Sequence, residues 1–264
     1  EIGNLDKEAR AYFIDKIETN SNIKLINKDK LITYTAGMSG ADLEKVNRES
    51  SLYKIKHNLK EITESILLEQ INIIKYGERL KGQSLDLLTS STAYHEAGHA
   101  VLSYILLPDT KIEQITVVPR NNALGFVSYD NEDNISNLTK IKIENKICVL
   151  LAGRIAQMKK YAEEGFDSGA SSDLSHATHL ANMAISKLGM GTSIGYVSLD
   201  KLKEYEASTF REEINKEVKN WLKTAEERTK NLVDELWDKI DNVAQSLIEN
   251  ETIEAKELNK IMTK

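Results

Sequence analysis

Proline stands at only two of these 264 positions, Pro108 and Pro119. Inside a helix a proline removes a hydrogen bond and clashes with the preceding turn. The long proline-free stretches on either side of 108–119 therefore leave the chain free to be helical almost throughout. Around the two prolines the character changes. KIEQITVVP (111–119) and, after RNN, ALGFVSYD (123–130) are short and rich in β-branched and aromatic residues. They read as a hairpin or adjacent strands. The expected fold class is mainly α, with a short β-hairpin or small sheet set into it.

Elsewhere apolar residues recur at helical spacing. KEARAYFIDKIET (7–19) sets Ala9, Tyr12, Phe13 and Ile17 at such intervals, and NKDKLITYT is a short helix candidate. Ser39 is a good N-cap, with Asp42 and Glu44 in the turn that follows. Residues 60–76, 91–106 and 137–162 read as further helices, and residues 77–92 as a connector with a helix start. Ser171 or Ser172 is expected to cap a helix that ends before Gly189. Residues 205–249 read as one long amphipathic helix, followed by a tail helix at 254–263. Cys148 is the single cysteine, so no internal disulfide forms. Within the apolar run ICVLLAG it is expected to be a small core residue.

A net charge of -6, with no basic patch interleaved with aromatics, argues against nucleic acid as a partner. No apolar run reaches the ~20 residues of a membrane helix, and no signal peptide opens the sequence. The chain begins with Glu1 rather than Met, so it is expected to be a portion of a longer protein.

The stretch AYHEAGHAV (93–101) carries the chemistry. His95 and His99 are four residues apart and project from one side of a helix. That spacing lets two imidazole nitrogens reach one ion, and zinc accepts imidazole readily in a tetrahedral site. Glu96, beside the first histidine, is the general base of the H-E-x-x-H motif. Ala97 and Gly98 keep the helix surface thin, which is read as leaving room for substrate. The motif lacks a third ligand. His57 lies among lysines and is expected to be solvated. Asp173, His176 and His179, all in SGASSDLSHATHLA, are the remaining candidates, and sequence chemistry leaves the choice among them open. Asp173 also has an ordinary role available, as a first-turn acid of its helix.

Several separate stretches resemble the FtsH-type ATP-dependent zinc metalloproteases. YHEAGHAV is similar to the family's zinc helix, ITVVPRNNALGFV to the strand pair after it, and LLAGRIAQ to its Gly-Arg helix. SGASSDLSHATHLA is similar to the segment holding the third ligand, and ETIEAKEL to the C-terminal end. Upstream, TAGMSGADLEKVNRES resembles the helical lid that closes an AAA ATPase module. The resemblance implies a helical AAA lid-like subdomain at 1–80 and a zinc metallopeptidase domain at 81–264. It implies zinc on His95, His99 and Asp173, Glu96 as the catalytic acid/base, and Gly40, Ala41 and Asp42 near bound nucleotide. His176 and His179 fall where the family places no ligand. It further implies unfolded or membrane protein substrates and a homo-hexamer. ATP and Mg2+ would be bound only in a full-length parent, and a missing N-terminal anchor would hold that parent at a bacterial inner membrane or its organelle equivalent.

Two departures stand out. Gln157 replaces the glutamate usual after Gly-Arg-x-Ala, so a support behind the metal loses its charge. Met38 replaces a phenylalanine in the lid. No Gly-Lys-Ser/Thr phosphate loop occurs in this sequence, so the chain cannot hydrolyse ATP by the family's mechanism. Against the peptidase stands a second expectation, a non-catalytic assembly or binding module with a vestigial metal site. A peptidase acting on small peptides without a motor is a third.

Overall fold

A computed structural model describes residues 5–21, 27–80, 86–121, 124–129, 138–165, 169–198 and 209–263. Its first part is four helices: α1 (Lys7–Ser21), α2 (Lys28–Tyr34), α3 (Gly40–Lys56) and α4 (Glu64–Tyr76). Ser39 caps α3 as expected. Its Oγ accepts from the Asp42 N–H at 3.3 Å, and the Asp42 carboxylate accepts from the Ser39 N–H at 2.9 Å, a reciprocal capping box. The Thr63 Oγ1 caps α4 by accepting from the Ile66 N–H, without a reciprocal bond. Ile14, Leu31, Leu43, Val46, Leu67 and Ile71 fill a small core of their own, with Met38 buried among them.

A second, larger core lies among α5 (Asp86–Leu106), α6 (Lys140–Tyr161), α7 (Ser171–Ser186), α8 (Arg211–Glu235), α9 (Trp237–Asn250) and α10 (Ala255–Thr263). The α5 and α6 helices pack most intimately, with α9 against α5 and α8 against α6 and α7. Cys148 is buried in this core, as expected. The α5 helix begins at Asp86, five residues before the expected start, so much of the connector is helix.

The strands form a three-stranded antiparallel sheet in the order β2-β1-β3, from β1 (Ile112–Thr116), β2 (Phe126–Tyr129) and β3 (Thr252–Glu254). Thr116 sits opposite both Phe126 and Thr252. The expected hairpin is present, and β3 is an addition. Every residue of the central strand β1 is buried, whereas β2 lies at an edge and is half exposed. The strand at 126–129 is thus an edge of the sheet.

Two local expectations fail. Neither Ser171 nor Ser172 caps α7: the cap position is Ala170, which makes no side-chain bond. The expected single helix at 205–249 is broken at Leu236, and its first residues lie outside those described. No glycine or proline marks the break. Trp237 lies nearly parallel to Tyr94 of α5, with centroids 5.8 Å apart, so tertiary packing turns α9 onto the core. No helix among the described residues is long and apolar enough to cross a membrane.

Candidate metal centre

His95 and His99 sit one turn apart on α5 and are buried together with Glu96. The Nε2 atoms of the two histidines are 2.9 Å apart. Asp173 Oδ2, from the first turn of α7, lies 3.1 Å from one and 3.3 Å from the other. Ligands held 2.0–2.1 Å from a tetrahedral zinc stand ~3.3 Å from one another. The two nitrogens and the carboxylate oxygen therefore lie close to the spacing that the ion demands, the histidine pair somewhat tighter. Among the described residues this is the one such cluster of histidine, cysteine and acidic side chains.

The backs of both rings are also fixed. His99 Nδ1–H donates to the Val149 carbonyl at 2.7 Å, and His95 Nδ1–H to Gln157 Oε1 at 2.9 Å. With both Nδ1–H groups engaged, each Nε2 faces Asp173: the neutral ring offers a lone pair to a metal there, and a ring that also carries a proton on Nε2 donates to the Asp173 carboxylate. The Gln157 amide then donates to Ser91 Oγ at 2.9 Å.

Electrostatics separate the two carboxylates. Burial pushes the Glu96 carboxyl up from 4.5 to about 7, with Asp173 adding to the rise and His95 opposing it. Burial also acts to raise Asp173, but hydrogen bonds from His95 and His99 overcome it and hold that carboxyl well below its ordinary range. The two carboxyls are thus pushed in opposite directions, Asp173 toward its ionised form and Glu96 toward its protonated one.

Glycines let the pieces meet. A Cβ on Gly153 of α6 would stand 2.5 Å from His99 Nε2 and 2.7 Å from His95 Cε1. A Cβ on Gly98 would stand 2.6 Å from the Ala152 carbonyl oxygen. Gly98 thus lets α5 and α6 pack closely rather than leaving room for substrate, which corrects the expectation for it. Gly125, just before β2, lies against Glu96 and Thr92, where a Cβ would meet Glu96 Cγ at 2.9 Å. The only trace of these contacts in the sequence is the run of small residues in LLAGRIA and HEAGHA.

A cleft of about 620 Å³ opens over His95, Glu96, His99 and Asp173. One wall is Leu124, Gly125, Phe126, Val127 and Tyr129, the strand β2 and its approach. His57, His176 and His179 are all exposed and lie outside the cluster. Gly40 and Ala41 open α3 in the first part of the chain and line neither this cleft nor a second cavity beside α4.

The model of peptidase family M41 matches residues 88–261. The ATP-dependent zinc metalloprotease FtsH of Mycoplasmopsis pulmonis is 31% identical over 90% of this chain and 34% of its own length. FtsH 2 of Petrotoga mobilis, with the same description, is 31% identical over 90% of this chain and 40% of its own. The mitochondrial inner membrane i-AAA protease supercomplex subunit YME1 of Saccharomyces cerevisiae is 30% identical over 86% and 30%. The chain spans about a third of the length of the curated relatives it matches.

Proposed function

The chain belongs to peptidase family M41, and from that premise we propose that residues 81–264 are a zinc-dependent metalloendopeptidase acting on unfolded or membrane proteins. The observation that carries this reading is the convergence of His95, His99 and Asp173 within 4.8 Å of one another, beside a buried glutamate at the floor of a cleft.

When bound, zinc supplies Lewis-acid polarisation of a peptide carbonyl and lowers the pKa of water. The protein supplies the rest. Glu96, buried beside the proposed ligands at the floor of the cleft, takes the proton from the attacking water and returns it to the leaving amine. Gln157 and Val149 hold the two imidazoles in one tautomer and orientation. Asp173 provides the anionic ligand. Among the described residues no strand pairs with the outer edge of β2, so an extended substrate adds there as a further strand.

Residues 1–80 are proposed to be the lid of an AAA module, with Gly40 and Ala41 near a nucleotide that the longer protein binds. In that assembly an ATPase ring, a homo-hexamer, feeds substrate to the peptidase at a bacterial inner membrane or its organelle counterpart. The words "ATP-dependent" and "mitochondrial inner membrane" in the relatives' names support this reading.

The test is zinc per chain together with casein cleavage, for wild type, Asp173→Ala and Glu96→Gln. Near one zinc in the wild type is expected, with metal and cleavage both lost in Asp173→Ala. Glu96→Gln keeps the metal and loses cleavage. A folded wild type that takes up no zinc refutes the reading.

A further inference from the structure

The first part of the chain grips the substrate wall of the cleft. Tyr76, the last residue of α4, lays its ring on Phe126, the first residue of β2, with centroids 3.7 Å apart and planes 22° from parallel. Its hydroxyl reaches Ser128 Oγ at 3.3 Å, two residues further along the same strand. Phe126 follows directly on Gly125, whose backbone rests against Glu96. One aromatic ring thus holds the strand at the point where it meets the general base.

The surroundings of this stack are polar. Arg120 donates to Glu69 Oε2 at 2.9 Å and to the Gly77 carbonyl at 3.1 Å. Gln114 donates to Asn72 at 3.2 Å, and Lys30 pairs with Glu254 at 2.5 Å. A cavity of about 240 Å³ runs through this seam, with Phe126 and Arg120 in its lining as well as in that of the cleft. Polar seams of this kind tolerate relative movement. A flat aromatic stack adds a preference for one arrangement.

We propose that Tyr76 is a positioning residue for the cleft, holding the edge strand β2 through Phe126, so that the placement of the first helical unit sets how well an extended chain can dock. The proposal rests on the reading of β2 as the substrate edge. It assigns a role to a residue 19 positions before the metal motif, on a helix that contributes nothing to the metal cluster.

The experiment compares Tyr76→Phe, Tyr76→Leu and Tyr76→Ala in the zinc-loaded protein. One readout is KM and kcat on a quenched-fluorescent unstructured peptide, and the other is hydrogen exchange of residues 124–129. Tyr76→Ala is expected to raise KM about fivefold, the effect of one lost aromatic pair, with kcat nearly unchanged and a full complement of zinc. Amides 124–129 exchange faster, while those of α5 and α6 keep their rates. Tyr76→Phe keeps the stack and stays close to wild type, and Tyr76→Leu falls between. Unchanged exchange at 124–129 in Tyr76→Ala overturns the proposal whether or not the protein cleaves peptide. So does a Tyr76→Phe variant as impaired as Tyr76→Ala, which would assign the effect to the hydroxyl. A wild type that binds zinc yet cleaves nothing counts against the peptidase reading, and the exchange data still decide the role of Tyr76.

Discussion

Replacing Gly153 with alanine should empty the metal site while leaving the fold in place. The added Cβ would start 2.5 Å from His99 Nε2, and ordinary contact begins at 3.4 Å, so something must retreat by about 0.9 Å. Metal–ligand distances tolerate about 0.2 Å. If the imidazole moves, its nitrogen leaves coordination range. If α6 moves instead, it carries Gln157 and the Val149 carbonyl away from the two Nδ1 atoms that they hold. Either route harms binding, and loss of an outer support alone costs roughly 10–100-fold in metal affinity. Zinc affinity measured by competition with a chromophoric chelator should fall by at least that range for Gly153→Ala. Circular dichroism should stay native, because the glycine borders only part of a long helix interface. Zinc affinity within threefold of wild type would refute the argument that the histidines have no room to yield.

Two further outcomes follow from the site's electrostatics and its outer contacts. In chelated, metal-free protein the raised Glu96 carboxyl binds a proton more tightly folded than unfolded, so stability falls as pH rises from 4.5 to about 7. Glu96→Gln removes that burden. It should stabilise the apo protein by about 3 kcal/mol above pH 7, taking ~1.4 kcal/mol per pKa unit, and by nothing near pH 4. Urea denaturation at the two pH values checks this, and a pH-independent difference would contradict it. Gln157→Leu removes the acceptor for His95 Nδ1–H and should weaken zinc binding 10–100-fold. Gln157→Glu restores an acceptor, with charge, and should bind zinc at least as tightly as wild type in the same chelator titration.

What could be read from the sequence was local. The i, i+4 histidines, the Ser39 N-cap and the helical stretches all depend on neighbours within a turn or two. The strand character of 111–119 shows in its β-branched residues. Asp173 could be shortlisted by residue type, and the family resemblance singled it out. The features that escaped are made by distant contacts. Strand β3 is three residues long, and its partner lies more than a hundred positions upstream. The break at Leu236 carries no breaker residue and follows from Trp237 packing on Tyr94. Gly98 and Gly153 look alike in the sequence to glycines of any helix. Their role appears only when α5 and α6 are laid together and the missing Cβ atoms prove to be the clearance.

The sheet has a consequence for the order in which the molecule assembles. Thr116 and Thr252, whose hydroxyls meet at 2.7 Å, are 136 residues apart in the chain. Contacts of such sequence separation are slow to form, since a long loop must be closed before they gain anything. The first four helices are contiguous and need no such closure, so they can collapse early. Strand β1, buried along its whole length on completion, must wait with one edge unprotected until β3 arrives. During that interval the β1 edge facing away from β2 is an open strand edge, prone to pair with other chains. The sheet whose β2 edge is proposed to receive extended polypeptide is therefore also, until β3 docks on its other side, open to capture by copies of its own chain.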